Sequence, residues 1–190
     1  MKATNMIHTI NYNRLIVNYQ EGPFSCIPAS VELIFKYHKP ILPFNQFMIT
    51  ILMINYSINN SPSFSAIENI VCPSITTFFD INVLNPITFN DWLQNIENEL
   101  INNRPIAIST DMPNRGAHVR VVLSKDDTNK KLTLYNPGFY LKISHVLNKG
   151  KITGTIAIYE AGIEEYGYTD AQKDFNASNA CHDQLQIIPI

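Results

Sequence analysis

The stretch QEGPFSCIPASVELIFKYH, residues 20–38, decides how the fold is interpreted. After Cys26, apolar residues recur with the spacing of a helix and lie on more than one of its faces: Ile27, Val31, Leu33 and Ile34. A helix that is apolar on nearly all sides belongs in the interior of a domain. We therefore expect this stretch to form a buried helix around which the rest of the chain packs.

Cys26 lies at the start of this predicted helix. Ser25 is a suitable N-cap, and Pro28 suits the first turn, where a missing N–H does no harm. Unpaired N–H groups and the positive end of the helix dipole meet at a helix N-terminus and favour a thiolate there. The position therefore predicts a lowered pKa for Cys26 and a sulfur that can act as a nucleophile.

The chain has 190 residues, of which 45% are hydrophobic, and this suits one globular domain, residues 1–190, with a sizeable core. Residues 160–190 show too little pattern for an assignment and are treated as a C-terminal extension. With 14 basic and 16 acidic residues the formal charge is -2, and no long run of lysine and arginine is present. We therefore expect no nucleic acid and no membrane as a partner.

The first residues, MKATNMIHTINYNRLIV, lack the uninterrupted apolar region of a signal peptide, and no run of about 18 apolar residues could span a membrane. Three cysteines, Cys26, Cys72 and Cys181, without a close-spaced pair argue against a disulfide framework or a zinc knuckle. No residues have metal-ligand spacing, and no glycine-rich loop could hold a phosphate. We expect a cytoplasmic protein with no metal and no cofactor, while its oligomeric state stays open.

Patterns along the chain predict helices first and strands later. A second amphipathic stripe follows Pro43, a short helix is predicted over residues 63–71, and Thr88 or Asn90 can cap a helix that ends at Asn102. Strand-like runs follow at residues 104–109, 118–123, 131–136 and 152–159. Helices followed by an antiparallel sheet predict an α+β domain in which the thiol-bearing helix packs on that sheet.

The runs 118–123 and 131–136 are separated by SKDDTNK, a polar segment typical of a hairpin turn. A turn centred near Asp127 and Thr128 would set His118 directly opposite residue 136 or 137, and residue 136 is asparagine. Directly opposed residues share a face with Cβ atoms about 5 Å apart, so the imidazole and the amide are expected to meet. The amide oxygen would hold one ring N–H, and the other ring nitrogen could take the proton of a thiol.

Gln20 precedes Cys26 by six residues. Its side-chain NH2 group, together with a backbone N–H at the helix start, would stabilise the oxyanion that develops when a nucleophile attacks a carbonyl. The predicted site therefore consists of Gln20, Cys26, His118 and Asn136.

The order glutamine, cysteine, histidine and asparagine resembles the papain-like cysteine peptidase superfamily, as do RPIAIST before the histidine, VRVVLSKDD after it and the pair Asn136-Pro137. Within that superfamily, residues 20–140 are similar to the bacterial peptidases that cleave leader peptides of secreted bacteriocins at a double-glycine site, and to their stand-alone relatives. The resemblance implies a papain-like fold, a peptide or protein substrate, and four roles: nucleophile for Cys26, general base for His118, orienting residue for Asn136 and oxyanion-hole donor for Gln20.

The chain departs from the bacteriocin-processing type at two positions. Ile27 stands where those peptidases usually have glycine, and Asn136 stands where they usually have aspartate. Three functions stay open. The first is a thiol hydrolase that cleaves peptide or amide bonds through an acyl-enzyme on Cys26. The second is an enzyme that forms the same acyl-enzyme and resolves it by acyl transfer, crosslinking or glutamine deamidation. The third is a catalytically silent module that binds a peptide.

Overall fold

The computed structural model describes residues 6–16, 18, 26–57, 63–71, 78–112, 116–143, 146–148, 151–153, 156–159, 161–177 and 182–190. Within these residues the chain forms five α-helices: α1 (Cys26–His38), α2 (Gln46–Ser57), α3 (Phe64–Ala66), α4 (Phe89–Ile101) and α5 (Tyr168–Ala177). A π-helical turn, Ile67–Val71, continues α3, and a short 3-10 helix spans Tyr12–Arg14. No described helix combines the length and the apolar surface that a bilayer span requires.

The described residues also form eleven strands: β1 (Ile7–Thr9), β2 (Phe79–Leu84), β3 (Ile106–Met112), β4 (Gly116–Asp126), β5 (Lys131–Asn136), β6 (Phe139–Ile143), β7 (Val146–Asn148), β8 (Lys151–Thr153), β9 (Ile156–Tyr159), β10 (Gly162–Gly167) and β11 (Gln184–Pro189). Seven of them build one antiparallel sheet in the order β10-β5-β4-β3-β11-β2, with β1 paired to β4. Strands β6 and β9 pair separately, as do β7 and β8. The predicted α+β fold class is therefore confirmed, whereas the single predicted strand over residues 152–159 is wrong.

Strand β4 is the centre of the main sheet. On one side it pairs with β3 from Gly116 to Val122, and β1 takes the place of β3 along Ser124–Asp126. Val121, Val122 and Leu123 are all fully buried. Because successive side chains of a strand point to opposite faces, both faces of β4 are covered.

Helix α1 forms where the apolar pattern predicts it, and ten of its thirteen residues are buried. It contacts β3, β4 and β11 of the main sheet. The buried Glu32 is compensated by an ion pair with Lys36 and by the backbone N–H of Gln46, which donates to Glu32 Oε2 at 3.1 Å. This carboxylate therefore caps the start of α2 and ties it to α1. The predicted N-cap of α1, Ser25, lies outside the described residues.

Helix α4 begins with a capping box at Thr88, the first of its two predicted caps. The hydroxyl of Thr88 accepts the N–H of Asp91 at 3.1 Å, and the carboxylate of Asp91 accepts the N–H of Thr88 at 3.2 Å. The two exchanged bonds satisfy N–H groups that have no partner within the helix. The spacing predicts an apolar face of Trp92, Leu93, Ile96, Leu100 and Ile101. Of these, Trp92, Ile96 and Leu100 are buried, whereas Ile101 is exposed.

Two strands within residues 160–190, β10 and β11, belong to the main sheet, so the prediction of a C-terminal extension is corrected. Strand β11 lies between β3 and β2, and β10 forms the edge beside β5. Strand β11 shows no clean alternation because the polar Gln184 is as fully buried as Leu185. The amide of Gln184 donates to the carbonyl of Trp92 at 3.0 Å and accepts from Asn95 at 2.9 Å. Tertiary hydrogen bonds thus make a polar residue suitable for the core.

Candidate thiol site

Cys26 is the first residue of α1 and is half-buried. Its sulfur accepts a hydrogen bond from the backbone N–H of Val119, the residue that follows His118 on β4. Backbone N–H groups of Cys26 and Ile27 at the helix N-terminus are also directed at the sulfur. The start of α1 and the middle of β4 therefore meet at this sulfur, although they are distant in sequence.

The N–H of Val119 is available to the sulfur because of where β5 ends. Ser109, which lies opposite Val119 on β3, donates its own N–H to Asp183 in the other direction. The N–H of Val119 consequently points away from β3, to the side on which β5 lies. The pairing of β4 with β5 stops at Val121–Tyr135, and β5 ends at Asn136. The thiol thus contacts the backbone of β4 just beyond the last residue pair that β4 forms with β5.

Burial raises the pKa of the Cys26 thiol, and this effect exceeds the lowering by the backbone N–H groups of Val119, Ile27 and Cys26 itself. The prediction of a lowered pKa is therefore wrong in its net direction. A thiolate at this position would lose more hydration than the N–H dipoles replace. The resting group at neutral pH is a thiol, which needs a base before it can act as a nucleophile.

His118 is only 2% exposed, and its Nε2 lies 2.9 Å from Oδ1 of Asn136. The predicted contact between this imidazole and this amide is thus confirmed. Because an amide oxygen accepts and does not donate, Nε2 must carry the ring proton. In the neutral imidazole the lone pair is then on Nδ1, which is the nitrogen that can act as a base.

The register that led to the contact is different from the predicted one. Strands β4 and β5 pair Val121 with Tyr135, and the same register continued would set Gly138, not Asn136, opposite His118. Asn136 is therefore a diagonal neighbour on the same face, within reach of a long side chain. The shift arises because the turn lies further along the chain than predicted, with a bulge in the ladder near it.

The orientation of the Asn136 amide follows from its other partners. The backbone N–H of Gly138 donates to Oδ1 at 2.9 Å, and Nδ2 donates to Oε2 of Glu164 at 3.3 Å. A backbone N–H can only donate, so the oxygen must be the atom that faces Gly138 and His118. Gly138 has φ +84, and a Cβ added there would lie 2.9 Å from the backbone nitrogen of Ala161. The turn after Asn136 therefore requires glycine.

Burial lowers the pKa of His118 from 6.5 to about 4. The hydrogen bond to Asn136 opposes this shift, and the positive charge of Arg120 adds to it. Removing an imidazolium from water is costly, and here one amide does not offset the cost. His118 is therefore neutral at pH 7 and holds its proton on Nε2.

Several other predictions concern residues near this site. Gln20, the predicted oxyanion donor, lies outside the described residues, as do Cys72 and Cys181. Ile27 is 7% exposed and belongs to the hydrophobic core, so the core accommodates its branched side chain. Among the described residues, no group of three or more histidine, cysteine, aspartate or glutamate side chains could hold a metal ion.

Two charged residues that are not among the four predicted site residues lie beside the site. Glu164 on β10 accepts from Asn136 and also lies 2.7 Å from Nε of Arg120 through its other carboxylate oxygen. Arg120 is two residues from His118 on β4, so the two side chains share a face of the sheet. That spacing was a usable signal for Arg120. Glu164 had none, because it lies in the segment that the pattern left unassigned.

Fold and site together define an α+β protein in which a cysteine at a helix N-terminus meets a strand whose buried histidine is hydrogen-bonded to an asparagine on the neighbouring strand. A comparison with protein-family models finds none that matches this chain, and a comparison with curated proteins finds no match either. The chemistry of the site therefore has to be argued from the residues themselves.

Proposed function

We propose that this protein is a papain-like thiol hydrolase that cleaves peptide or amide bonds through an acyl-enzyme on Cys26. The observation that carries the proposal is the hydrogen bond from the Val119 N–H to the Cys26 sulfur. It brings the thiol to the residue next to His118, whose ring is held by Asn136 at 2.9 Å. A thiol, a base and a group that orients the base are the components that nucleophilic catalysis needs.

In this proposal His118 is the general base. As the sulfur attacks the carbonyl carbon of the substrate, the thiol proton passes to Nδ1, and the resulting imidazolium keeps its Nε2–H on Asn136. Attack from the thiol with simultaneous proton transfer avoids a free thiolate, which the half-buried position of Cys26 disfavours. Asn136 contributes by holding the ring in the tautomer that leaves the lone pair on Nδ1.

The imidazolium then returns its proton to the leaving amine, the carbon–nitrogen bond breaks, and a thioester on Cys26 remains. Water attacks the thioester with His118 again taking a proton, and the acid and the free thiol are released. Stabilisation of the oxyanion by Gln20, with backbone N–H groups at the start of α1, is part of the proposal and rests on the resemblance to papain-like peptidases.

The test is a comparison of the full chain with Cys26→Ala, His118→Ala and Cys181→Ala, the last as a control that removes a thiol outside the proposed site. Each protein is incubated with a complex peptide mixture, and new peptide termini are quantified by mass spectrometry. We expect cleavage by the unchanged chain and the control, and a loss of about a thousandfold or more in both site variants. Equal products from Cys26→Ala would contradict the proposal.

The same measurement separates hydrolysis from the related reactions of the acyl-enzyme. Hydrolysis of a peptide bond yields two fragments, whereas transfer to an amine joins two molecules and deamidation changes the mass of one glutamine without cleavage. In each of these related reactions Cys26 would still form the acyl-enzyme. Transfer to an amine replaces water as the acceptor, whereas deamidation replaces the peptide bond with a glutamine side chain as the substrate.

One observation favours the catalytically silent module as the second candidate. Burial makes both resting groups neutral, because it raises the pKa of Cys26 and lowers that of His118 to about 4. A silent module would bind peptides with an alkylation rate at Cys26 that does not depend on His118. Alkylation by iodoacetamide, compared between the unchanged chain and His118→Ala, therefore distinguishes the two candidates.

A further inference from the structure

The amide of Asn136 has two sides, and each has a specific partner. Its oxygen accepts from His118 and from the backbone of Gly138, both at 2.9 Å. Its nitrogen donates to Oε2 of Glu164 at 3.3 Å. Glu164 is on β10, the edge strand that pairs with β5, and it lies diagonally from Asn136 on the same face. A carboxylate is thus connected to the imidazole through a single amide group.

We propose that Glu164 is a positioning residue for His118, acting through Asn136, and that Arg120 balances its charge. The proposal rests on the proposed function in one respect, namely that His118 has to hold a defined tautomer and accept a proton. The side-chain partners that the described residues give the Glu164 carboxylate are Asn136 and Arg120, so its effect on the thiol chemistry is indirect.

Two physical effects link Glu164 to the ring. An asparagine amide can rotate by half a turn with little change in shape, and a carboxylate facing its NH2 group opposes that rotation because two oxygens would then meet. The carboxylate also polarises the amide, which increases the negative charge on Oδ1 and strengthens its bond with the ring N–H. This second effect matters here because Asn136, unlike an aspartate, supplies no charge of its own to stabilise an imidazolium.

Arg120 carries the charge that opposes that of Glu164. Its Nε lies 2.7 Å from Oε1 of Glu164, and its guanidinium lies 5.7 Å from the centre of the Tyr166 ring. The hydroxyl of Tyr166 donates in turn to the carboxylate of Asp174 on α5. Among the described residues, the ionisable groups placed around the histidine–asparagine pair include Cys26 on α1, Arg120 on β4 and Glu164 on β10.

The two charges predict effects of opposite sign on the imidazole. Glu164→Gln keeps an acceptor oxygen near Asn136 but leaves the charge of Arg120 uncompensated, so protonation of His118 becomes harder. Arg120→Gln leaves the carboxylate uncompensated, so protonation becomes easier. The double variant restores neutrality and returns the imidazole towards its original behaviour. General destabilisation would shift the pH of His118 protonation in the same direction in all three variants. Shifts of opposite sign therefore identify an electrostatic link.

The control is Glu165→Gln, on the same strand but on the opposite face. The carboxylate of Glu165 is exposed and forms an ion pair with Lys131, away from Asn136. Its removal changes the net charge of the protein by the same amount as Glu164→Gln. It therefore separates an effect of position from an effect of overall charge.

The experiment uses the full chain with nitrogen-15 in its histidine rings. NMR follows the tautomer of His118 and the pH at which its ring is protonated, and the fluorescence of Trp92 verifies folding. In parallel, the rate of alkylation of Cys26 by iodoacetamide is measured at neutral pH. We expect Glu164→Gln to lower that rate by about tenfold, the lower end of what outer partners of functional histidines contribute at metal sites. Glu165→Gln should leave both readouts unchanged.

The outcomes separate this inference from the proposed function. Opposite shifts of the His118 titration in Glu164→Gln and Arg120→Gln support the positioning role, whether or not peptide cleavage is found. If Glu164→Gln only lowers the unfolding temperature, or changes the ring no more than Glu165→Gln does, Glu164 is merely structural and the inference fails. Loss of cleavage in Cys26→Ala together with an unchanged His118 ring in Glu164→Gln would retain the hydrolase and reject the positioning role.

Discussion

The pKa of His118 makes the stability of this protein depend on pH. Its value is about 4 in the folded protein against 6.5 for an ordinary histidine, because the ring is buried. The folded state therefore binds fewer protons than the unfolded state between these two values. The contribution of the neutral His118 ring to stability is fully present above pH 6.5, the pKa in the unfolded state. It is lost as the pH falls towards about 4, the pKa in the folded state.

The size of the effect follows from the two pKa values. Each tenfold change in proton affinity corresponds to about 1.4 kcal/mol, so lowering the pH from about 7.5 to about 4.5 removes about 2–3 kcal/mol of the free energy of unfolding. A typical domain has a total of about 5–15 kcal/mol, so the loss is a substantial part of it. His38, which burial also shifts to about 4, should add a smaller loss because it is more accessible to water.

The assay is urea unfolding of the unchanged chain and of His118→Gln over this pH range. Trp92 is the only tryptophan and is 2% exposed, so its fluorescence reports unfolding of the core. A glutamine has no ionisable group but can still donate to Asn136. We expect the variant to lose about 2–3 kcal/mol less than the unchanged chain between about pH 7.5 and about pH 4.5.

Ile96→Val is the matched control, because Ile96 is fully buried and does not ionise. It should lower stability by about 1 kcal/mol at every pH and leave the pH dependence as it is. If His118→Gln shows the same pH dependence as the unchanged chain, His118 is not held neutral in the folded protein. The assignment of this ring as a buried neutral base would then be refuted.

Three further predictions concern the turn, a helix cap and the histidine partner. Gly138→Ala should destabilise the protein by about 1–3 kcal/mol, because Gly138 has a positive φ and the backbone of Ala161 lies close to it. Gly162→Ala is the control, because an added Cβ there has open space, and urea unfolding compares the two variants. Thr88→Ala should cost about 1 kcal/mol in the same assay, and Thr88→Ser should restore most of it; no difference between them would contradict the cap. Asn136→Ala should slow alkylation of Cys26 by about tenfold or more, since the ring loses its orienting partner, and an unchanged rate would contradict that role.

Local sequence patterns predicted those parts of the fold that depend on neighbouring residues. The apolar spacing after Cys26 predicted α1, and Thr88 predicted the start of α4, because helix periodicity and capping involve residues within one or two turns. The polar turn segment predicted the hairpin of β4 and β5, and with it the contact between His118 and Asn136. The predicted register was wrong, but the contact still forms because Asn136 is within reach of His118 from a diagonal position.

Contacts between distant segments were decided only by the tertiary structure. Strand β11 lies within the sheet with its polar Gln184 satisfied by buried hydrogen bonds to distant residues, which no local pattern encodes. The pKa of Cys26 was predicted with the wrong sign because a helix dipole can be read from sequence, whereas the loss of hydration depends on what covers the sulfur.

The sequence by itself determined that a cysteine begins a buried helix and that a histidine and an asparagine meet on one hairpin. The tertiary structure decided that the thiol binds β4 beside His118, and that Glu164 joins Asn136 from the edge strand. Periodicity and turn chemistry act over a few residues, so they can be read along the chain. The approach of α1 to β4 and of β10 to β5 depends on how the whole core packs, and no short stretch of sequence contains that information.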